Sequence, residues 1–322
     1  MALARPSGED DNDVSDVGTG SRRGSRGPHA QGKGVDGMQH LIDAYAPSEM
    51  AQRVVKVGVA KAKLPAADSL ILAVLAGAFI GLGAAFATLA TTSPELGFGP
   101  TRVLGGVAFS LGLILVVVAG AELFTGNNLV AMAWASRLIT TRQVMRNWGL
   151  VYLGNFVGSV GTAALVYLAG VWALGGHGVG ANAVAIASAK VHLPWSEAFF
   201  RGILCNALVC LAVWLCQSAR STTDKILAII WPISGFVALG FEHCIANMYF
   251  IPLGIILKND PEMMGTLAGQ PTGIESLDWG GLLNNLVPVT LGNIVGGTLM
   301  VAGVYWFAYL RNKEKQALLG AD

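Results

Sequence analysis

Six long apolar stretches, separated by short polar connections, occupy most of the chain. Each exceeds the ~20 residues that a helix needs to cross a bilayer. The second and the fifth are too long for one simple span and contain polar residues in mid-stretch, which predicts a break in each helix. The pattern therefore predicts an all-α membrane protein with six transmembrane helices, of which helices 2 and 5 are broken. The six stretches are residues 69–93, 102–137, 143–174, 195–217, 225–257 and 283–310.

The two ends of the chain differ from this central part. Residues 1–45 are polar and rich in Gly, Ser, Arg and Asp, which predicts a disordered cytoplasmic tail because they cannot bury enough surface to fold. Residues 46–66 place apolar positions at helical spacing between Lys and Arg, which is typical of an amphipathic helix at the membrane interface. Residues 67–312 form the predicted six-span domain, and residues 313–322 a short cytoplasmic C-terminal tail.

Composition and charge agree with a membrane protein. Charged residues make up 13% of the chain and apolar residues 53%, whereas soluble domains average about 25% charged residues. Lysine and arginine, Lys61 among them, concentrate in alternate connections. The positive-inside rule therefore predicts that both termini lie in the cytoplasm, in a bacterial inner membrane. The net charge of +1 gives no electrostatic footprint for nucleic acid, so no such partner is expected.

The four cysteines lie inside apolar stretches. Cys205, Cys210, Cys216 and Cys244 lack the Cys-x-x-Cys spacing of metal sites. Their position favours buried thiols over disulfides or metal ligands. The sequence therefore predicts no metal site and no cofactor.

Two segments of the chain recur. Residues 120–127 (GAELFTGN) and 240–247 (GFEHCIAN) share Gly, Glu and Asn at identical spacing, and residues 151–158 (VYLGNFVG) and 289–296 (VTLGNIVG) share a Gly-Asn pair. Each half thus holds three spans, and because three is odd, the second half lies upside down relative to the first. Inverted repeats whose corresponding helices are both interrupted indicate a solute site at mid-membrane between the halves.

Polar side chains at the two interruptions are predicted to face a pore. Irregular backbone at membrane depth is stable only where it is buried in protein or lines a cavity. We therefore expect breaks at about residues 123–128 and 242–247 that face one another. The side chains concerned are Glu122, Thr125, Asn127, Glu242, His243 and Asn247.

Some of these residues also have a structural interpretation. Glu122 and Glu242 could each cap N–H groups of the following half-helix, where the helix dipole favours an anion. His243 is the one histidine of five that lies within a span. An ionisable group inside a membrane is a functional candidate, although a hydrogen-bonded core histidine is the alternative.

These motifs resemble the formate–nitrite transporter family, and most closely its formate channel branch. The resemblance covers roughly residues 40–312. It implies an aquaporin-like homopentamer with one pore per protomer, and a transporter rather than an enzyme. The segments that carry it are residues 120–127, 147–148, 154–155, 190–192, 202–206, 210–214, 240–247 and 292–293.

The resemblance also implies roles for individual residues. The central histidine of the family is matched by His243 and the threonine of its mobile loop by Thr125. Lys190 and Asn206 match an anion-attracting pair, although Lys190 could also be an ordinary loop lysine. The apolar constrictions are matched by Leu123 and Phe124 beside the threonine, by Phe109, Leu113 and Phe236 on the periplasmic side, and by Val209 on the cytoplasmic side.

An apolar pore of this kind limits the form in which an acid can pass. Moving a bare carboxylate into a dry medium has an idealised cost on the order of 20 kcal/mol. Protonating an acid with a pKa near 4 costs about 4 kcal/mol at pH 7. We therefore expect formate, or a related small monovalent anion, to pass with a proton, either as the neutral acid or by sharing a proton with His243. Thr125 and Asn247 are expected to hold the two oxygens of the solute.

Other functions stay open or are disfavoured. A nitrite or hydrosulfide channel of the same family remains an alternative, because the nitrite branch shares the run ELFTG at residues 122–126. A haem-bearing membrane subunit of a formate-metabolising complex would need two intramembrane histidines, and the sequence offers His243 alone. A neutral-solute aquaporin is disfavoured because neither interruption contains Asn-Pro-Ala.

Overall fold

The computed structural model describes residues 44–92, 95–267 and 273–311, and all regular secondary structure in these ranges is helical. This confirms the predicted all-α class. The tail predicted at 1–45 lies outside the described residues, apart from its last two, and so does the tail predicted at 313–322. The helices before the first interruption are α1 Pro47–Lys63, α2 Ala66–Ala90 and α3 Phe98–Ala119.

The remaining helices follow in the predicted order. Within the described residues, five helices are long and apolar enough to cross a membrane: α2, α3, Thr141–Leu168, Trp195–Cys216 and Trp279–Tyr309. The predicted fifth span consists of two shorter helices, Thr222–Ala238 and Cys244–Lys258, on either side of an interruption. The elements after α3 are a 3-10 helix Gly126–Val130, α4 Ala131–Ala135, α5 Thr141–Leu168, α6 Gly178–Val191, α7 Trp195–Cys216, α8 Thr222–Ala238, α9 Cys244–Lys258, α10 Pro261–Leu267, α11 Trp279–Val295, a π-helical segment Gly296–Gly303, and α12 Val304–Tyr309.

Both long spans are interrupted, as the sequence predicted, but each interruption begins earlier than expected. Helix α3 is followed by Gly120 with φ of 83°, and Gly240 with φ of 72° lies two residues after α8. Glycine adopts this left-handed conformation without a Cβ penalty, so the chain leaves the helix at the glycine rather than at the polar residues after it. We call residues 120–125 the first break and residues 239–243 the second break.

The contacts between helices repeat in the two halves. In the first half α2 packs against α3 and α5, and in the second half α7 packs against α8 and α11. Helix α1 packs against the 3-10 helix and α4 that follow the first break, whereas α6 packs against α9, which follows the second. Each half therefore consists of a short helix, a span, a broken span and a further span.

The Gly-Asn repeat provides the closest contacts between spans. A Cβ atom on Gly158 of α5 would lie 1.9 Å from the carbonyl oxygen of Val74, and one on Gly296 would lie 2.1 Å from the carbonyl oxygen of Ile203. Only glycine permits this approach, because small residues let membrane helices pack backbone to backbone. The repeat recognised in the sequence thus fixes α5 against α2 and the last span against α7.

Helix α1 lies where the sequence predicted an amphipathic helix at 46–66. Its apolar residues Met50, Val54 and Ala62 are buried, in one cluster with Val130 and Trp214. The apolar face therefore contacts the protein beside the first break, and a position at the membrane interface stays a prediction for the opposite face.

Candidate functional site

The first break is anchored by one buried asparagine of α5. Asn155 Oδ1 accepts the backbone N–H of Phe124 at 2.9 Å, and its Nδ2 donates to the carbonyl oxygens of Ala73 at 2.7 Å and Glu122 at 2.9 Å. Buried backbone groups outside a helix need such partners. Asn155 therefore satisfies the peptide groups that the interruption leaves without helical hydrogen bonds.

The second break has the same anchor in the other repeat. Asn293 Oδ1 accepts the backbone N–H of Cys244 at 2.9 Å, and its Nδ2 donates to the carbonyl oxygens of Gly202 at 2.8 Å and Glu242 at 2.9 Å. The equivalence of the two halves, inferred from sequence motifs, therefore extends to individual hydrogen bonds.

A lysine–glutamate pair lies beside the first break. Lys61 Nζ of α1 donates to Glu122 Oε1, and Asn127 Nδ2 donates to Glu122 Oε2 at 2.7 Å. Asn127 also donates to Asn147 Oδ1 at 3.1 Å, and Asn147 Nδ2 donates to the carbonyl oxygen of Lys61 at 3.3 Å. The four residues close a ring of hydrogen bonds that ties α1 to the break.

The second break carries the equivalent ring. Lys190 Nζ of α6 donates to both carboxylate oxygens of Glu242, at 2.9 and 3.1 Å. Asn247 Nδ2 donates to Glu242 Oε2 and to Asn285 Oδ1, both at 2.7 Å, and Asn285 Nδ2 donates to the carbonyl oxygen of Lys190 at 2.8 Å. Lys190 is therefore a partner in the ring rather than an ordinary loop lysine.

These rings change three expectations. The carboxylates of Glu122 and Glu242 accept from lysine and asparagine side chains, so the expected capping of backbone N–H groups is wrong. Both amide hydrogens of Asn247 are used within the ring, so this side chain has no N–H to offer a solute. Lys61 was counted only as a cytoplasmic charge, and its similarity to Lys190 emerges only when the repeat is extended to α1 and α6.

The two breaks meet through one hydrogen bond. Thr125 Oγ1 and His243 Nε2 lie 2.9 Å apart, and both residues are buried. His243 Nδ1 accepts the backbone N–H of Ala246 at 3.1 Å and so caps the start of α9. Because the peptide N–H must be the donor, Nδ1 carries no proton, and Nε2 donates its hydrogen to Thr125. The Thr125 hydroxyl accepts in this bond, so its own hydrogen can be donated to another acceptor.

An apolar gate lies next to this contact. The rings of Phe109 and Phe236 meet edge to face with centroids 5.6 Å apart, and the ring of Phe236 stacks on that of His243 at 6.0 Å. Leu113 is buried in the same core cluster. The structure thus brings the expected constriction on this side together with the central histidine.

A cavity of about 650 Å³ extends from this gate towards α6, and we call it the vestibule. Its walls include Phe109, Phe236 and His243 and, nearer α6, Lys190 and Glu242. A volume of this size lies within the range of small-molecule sites, about 300–1,000 Å³. It is therefore large enough to admit a small anion with much of its hydration shell.

Two arginines that the sequence analysis did not single out also line the vestibule. Arg102 donates from Nε and Nη2 to the carbonyl oxygens of Ala238 and Val237, at 3.0 and 3.2 Å. Arg201 pairs with Glu197 at 2.7 Å. Both converge on Gly240, where a Cβ atom would lie 2.9 Å from Arg102 Nη2 and 3.9 Å from Arg201 Nη1. No rule of sequence spacing links these positions, which come from different helices.

The constriction expected on the other side lies around the first break. Leu123, Phe124 and Val209 are all buried. The ring of Phe124 packs edge to face against Tyr152 at 4.9 Å and against Trp148 at 6.2 Å. All three constriction residues belong to one buried apolar cluster, which also contains Phe109, Leu113 and Phe236.

Asn206 does not lie with Lys190 as the expected anion-attracting pair. Its Nδ2 donates to the carbonyl oxygen of Thr125 at 3.3 Å, to that of Asn293 at 2.7 Å and to Asn128 Oδ1 at 2.8 Å, and the side chain is fully buried. Lys190 instead lines the vestibule and pairs with Glu242. The two residues therefore act in different parts of the site.

A metal site needs several ligating side chains close together. Within residues 44–92, 95–267 and 273–311, no group of three or more His, Cys, Asp or Glu side chains is arranged so that it could hold a metal ion. The four cysteines are buried thiols without a disulfide. The chemistry available at the site is therefore that of hydroxyl, imidazole, amide, ammonium, guanidinium and carboxylate groups.

Comparisons with known proteins identify the family. The model of the formate/nitrite transporter family matches residues 48–307. The formate channel FocA of Escherichia coli K12 is 41% identical over 277 residues, which cover 85% of this chain and 97% of that protein. FocA of Haemophilus influenzae is 42% identical over 266 residues, or 81% and 93% of the two chains. A solved pentameric formate channel with formate bound superposes with a TM-score of 0.71 at 44% identity, covering 76% of this chain and 98% of the other. The chain therefore belongs to the formate/nitrite transporter family of integral membrane proteins.

Proposed function

We propose that this chain is a formate channel, which passes formate or a closely related small monovalent weak acid through the core of each protomer. The observation that carries the proposal is the meeting of the two breaks, where Thr125 and His243 lie 2.9 Å apart beside the gate of Phe109 and Phe236. Formate channels of two bacteria, at 41% and 42% identity, support formate over nitrite or hydrosulfide as the substrate.

Anions are expected to collect in the vestibule, which faces the periplasm if the positive-inside orientation holds. Of the charged residues that line it, Arg102, Lys190 and Arg201 are cationic and Glu242 is acidic. Lys190 and Arg201 have carboxylate partners, whereas Arg102 contacts carbonyl oxygens, so Arg102 supplies the net charge. A cleft lined mainly by one sign of charge raises the local concentration of the opposite sign.

The gate favours a solute that carries a proton. Phe109, Phe236 and Leu113 offer no hydrogen bond, so an ion that passes them loses its hydration. The effective penalty for such an ion is several kcal/mol even after relaxation, whereas protonating an acid of pKa near 4 costs about 4 kcal/mol at pH 7. The two costs are comparable, but protonation removes the need for any charged partner inside the gate.

The hydrogen bonds of His243 favour the neutral acid over proton exchange with the ring. A proton on Nδ1 would face the N–H of Ala246, which already donates to that atom, and two donors cannot satisfy each other. We therefore propose that the resting ring is neutral and orients Thr125 through its Nε2–H. The Thr125 hydroxyl then donates to an oxygen of the passing acid, and the acid keeps its own proton.

We also propose a pentamer with one pore in each protomer and with both termini in the cytoplasm of a bacterial inner membrane. A solved relative at 44% identity is described as a pentameric formate channel. Formate channels of Escherichia coli, Haemophilus influenzae and Bacillus thuringiensis resemble this chain. Chemical cross-linking in membranes and cysteine accessibility at the two ends test the assembly and the orientation.

Uptake by liposomes tests the function itself. Purified protein in liposomes should take up formate faster than nitrite, hydrosulfide or lactate when each is present at the same concentration of neutral acid. Formate uptake at fixed total formate should rise about tenfold for each unit of pH lowered between 7 and 5, because the neutral fraction rises in that proportion. If nitrite were taken up faster than formate, nitrite would be the proposed substrate instead. If formate uptake were no faster than in protein-free liposomes, the proposal that the protein is a channel would be wrong.

A further inference from the structure

The carbonyl group of Thr125 is held from behind by side chains that the mechanism above does not use. It accepts from Asn206 Nδ2 at 3.3 Å and from the Cys210 thiol at 3.3 Å. Asn206 and Cys210 lie one turn apart on the same face of α7, and both are fully buried. Two donors from one helix thus converge on the peptide of the residue that contacts His243.

A third side chain completes this group. Asn128 Oδ1 accepts from Asn206 Nδ2 at 2.8 Å, and Asn128 Nδ2 donates to the carbonyl oxygen of Phe124 at 3.2 Å. Asn206 Nδ2 also donates to the carbonyl oxygen of Asn293 at 2.7 Å. We call Asn128, Asn206 and Cys210 the Thr125 bracket. It joins the first break directly to the residue that anchors the second.

The three side chains of the bracket have no equivalents in the other repeat, where the corresponding carbonyl, that of Ile245, accepts instead from Ser159 Oγ of α5 at 3.3 Å. Asn155 donates to the carbonyl of Ala73 as Asn293 donates to that of Gly202, so these two carbonyls are equivalent positions in α2 and α7. In α7, Asn206 lies one turn after Gly202 and Cys210 lies two turns after it. The corresponding positions of α2, one and two turns after Ala73, are both glycine. The position of Asn128, in the 3-10 helix, is occupied in the second half by a methionine of α9. The equivalent residues are Gly77, Gly81 and Met248.

The last span is shaped to fit the bracket. A Cβ atom on Gly297, in the π-helical segment, would lie 2.5 Å from Asn206 Nδ2, 2.7 Å from Asn128 Cβ and 2.9 Å from Cys210 Sγ. The equivalent position on α5, one turn after Asn155, is Ser159. The backbone of the π-helical segment therefore packs closely against all three side chains, which restricts their rotation.

The first break needs such support because its own geometry provides little. It is followed by a 3-10 helix of five residues, and the Thr125 side chain makes no capping bond to that helix. Short 3-10 segments have poorer hydrogen-bond geometry than α-helices. The second break, in contrast, is followed by the 15-residue α9, which His243 caps. A contact between Thr125 and His243 therefore depends on an external restraint at the first break.

We propose that Asn128, Asn206 and Cys210 are positioning residues, which hold the Thr125 peptide so that its hydroxyl points at the His243 ring and at the passing solute. This inference rests on the proposed function, in which the Thr125 hydroxyl binds the acid. It replaces the anion-attracting role that the resemblance implied for Asn206, because the Nδ2 hydrogens of that residue are committed to three oxygens of the protein.

A double-mutant cycle with Thr125 tests this proposal. We would measure formate uptake, at concentrations below and above half-saturation, for Thr125→Val, Asn206→Ala and the double variant, in liposomes with matched amounts of folded oligomer. Asn206→Ala is expected to lower uptake at low formate on the order of tenfold, as for the loss of a buried hydrogen-bonding partner. In the Thr125→Val protein, the same change should lower uptake less than about twofold, because interacting residues are not additive.

Cys210 provides a second arm that does not depend on Asn206. Cys210→Ser keeps a donor of similar size, and Cys210→Ala removes it. The serine variant should therefore retain more formate uptake than the alanine variant, and this difference should vanish in the Thr125→Val background. A purely structural role would instead change the yield or the melting temperature of the oligomer equally in both backgrounds.

The outcomes separate this inference from the proposed function. If Thr125→Val lowers formate uptake but Asn206→Ala and Cys210→Ala add their full effects to it, the bracket does not act through Thr125 and the inference is wrong. If Thr125→Val leaves formate uptake unchanged, the proposed solute contact is wrong and the bracket has nothing to position. If none of these proteins takes up formate above protein-free liposomes, wild type included, the channel proposal itself fails.

Discussion

The first and second breaks have the same anchors but different continuations. In both, a glycine with positive φ ends the helix, a buried asparagine of a later span satisfies the peptide groups, and a lysine from a short preceding helix pairs with the glutamate. After the first break the chain forms a 3-10 turn and the short α4, whereas after the second it forms the regular α9. The backbone after the second break is therefore held by more regular helical hydrogen bonds than the backbone after the first.

The difference between the breaks lies at the residues that meet. Leu123 and Thr125 of the first break are equivalent to His243 of the second break and to Ile245 of α9. A symmetric pair of breaks would place two identical groups at the centre, but here a hydroxyl faces an imidazole. The features that the two halves share, namely the glycines, the anchoring asparagines and the lysine–glutamate pairs, form the structural frame of the site. The residues that differ between the halves provide the groups that contact the solute. Four predictions test this division, from the largest expected effect to the smallest.

The largest effect is expected at the two anchoring asparagines. Asn155→Ala and Asn293→Ala each leave one backbone N–H and one carbonyl group of the break without a partner, because the carbonyl groups of Ala73 and Gly202 lie within helices α2 and α7. At about 1–3 kcal/mol for each group, the loss is comparable with the lower end of the stability of a domain, about 5–15 kcal/mol. Both variants should fail to give a stable oligomer in fluorescence-detected gel filtration.

Ser159→Ala is the matched control for the anchors, because it removes one buried hydroxyl from α5 whose acceptors, the carbonyl oxygens of Gly77 and Ile245, lie in α2 and α9 and not in either break. It should assemble normally. If only one of the two asparagine variants lost its oligomer, the anchors would not be equivalent and the shared frame would be limited to one half of the protein.

The next effect concerns the two lysine–glutamate pairs. Lys61→Met and Lys190→Met each leave a buried carboxylate without its cation, which costs about 3–5 kcal/mol in a fully buried pair. The side chain of Lys190 is 14% exposed and that of Lys61 is 25% exposed, so the melting temperature should fall further for Lys190→Met.

Neutralising the carboxylate as well should reverse most of this loss. The double variants Lys61→Met/Glu122→Gln and Lys190→Met/Glu242→Gln keep the hydrogen bonds to the asparagines but carry no unpaired charge. Their melting temperatures should exceed those of the corresponding single lysine variants. Double variants that are less stable than the single ones would show that the glutamates have another partner.

A smaller effect, on transport alone, is expected for His243→Asn. The Oδ1 atom of asparagine can accept the Ala246 N–H as Nδ1 does, so α9 keeps its cap and the oligomer its stability. The shorter side chain does not reach Thr125, and formate uptake should fall on the order of tenfold for the lost hydrogen bond. Because the acid brings its own proton, uptake should still rise as pH falls from 8 to 5, as in the wild type. A variant whose uptake no longer varied with pH would show that the ring supplies the proton.

The frame could be predicted from the sequence because it is repeated. The Gly, Glu and Asn of residues 120–127 and 240–247 recur at identical spacing, and inverted repeats require equivalent environments. The pairing of the two lysines with the glutamates was not predicted, because the partners lie far apart along the chain: Lys61 reaches Glu122 from another helix, and no spacing rule connects them. A lysine beside a predicted span is usually assigned to the membrane surface.

The departures from symmetry were harder to interpret. Asn206 was assigned to anion attraction through the resemblance, but its hydrogen bonds run to Thr125, Asn128 and Asn293. Thr125 and Asn128 lie in the first break and in the 3-10 helix after it, whereas Asn293 lies far along the chain in α11. The convergence on Asn206 is therefore a property of packing and not of local sequence. The shift of each break to Gly120 and Gly240 was predictable in principle, because glycine after an apolar helix commonly ends it in the left-handed conformation.

The smallest effect is expected at these two glycines. Gly120 and Gly240 have φ of 83° and 72°, and an alanine in the left-handed region costs roughly 1–2 kcal/mol. A Cβ atom on Gly120 would meet nothing within 4 Å, whereas one on Gly240 would lie 2.9 Å from Arg102 Nη2. That atom is the far end of a flexible side chain and can move, so Gly240→Ala should be only slightly less stable than Gly120→Ala. Gly126→Ala, with space for a Cβ and no positive φ, should match the wild-type melting temperature. If both alanine variants also melted at the wild-type temperature, the glycines would not define the breaks, and the anchoring asparagines alone would hold them.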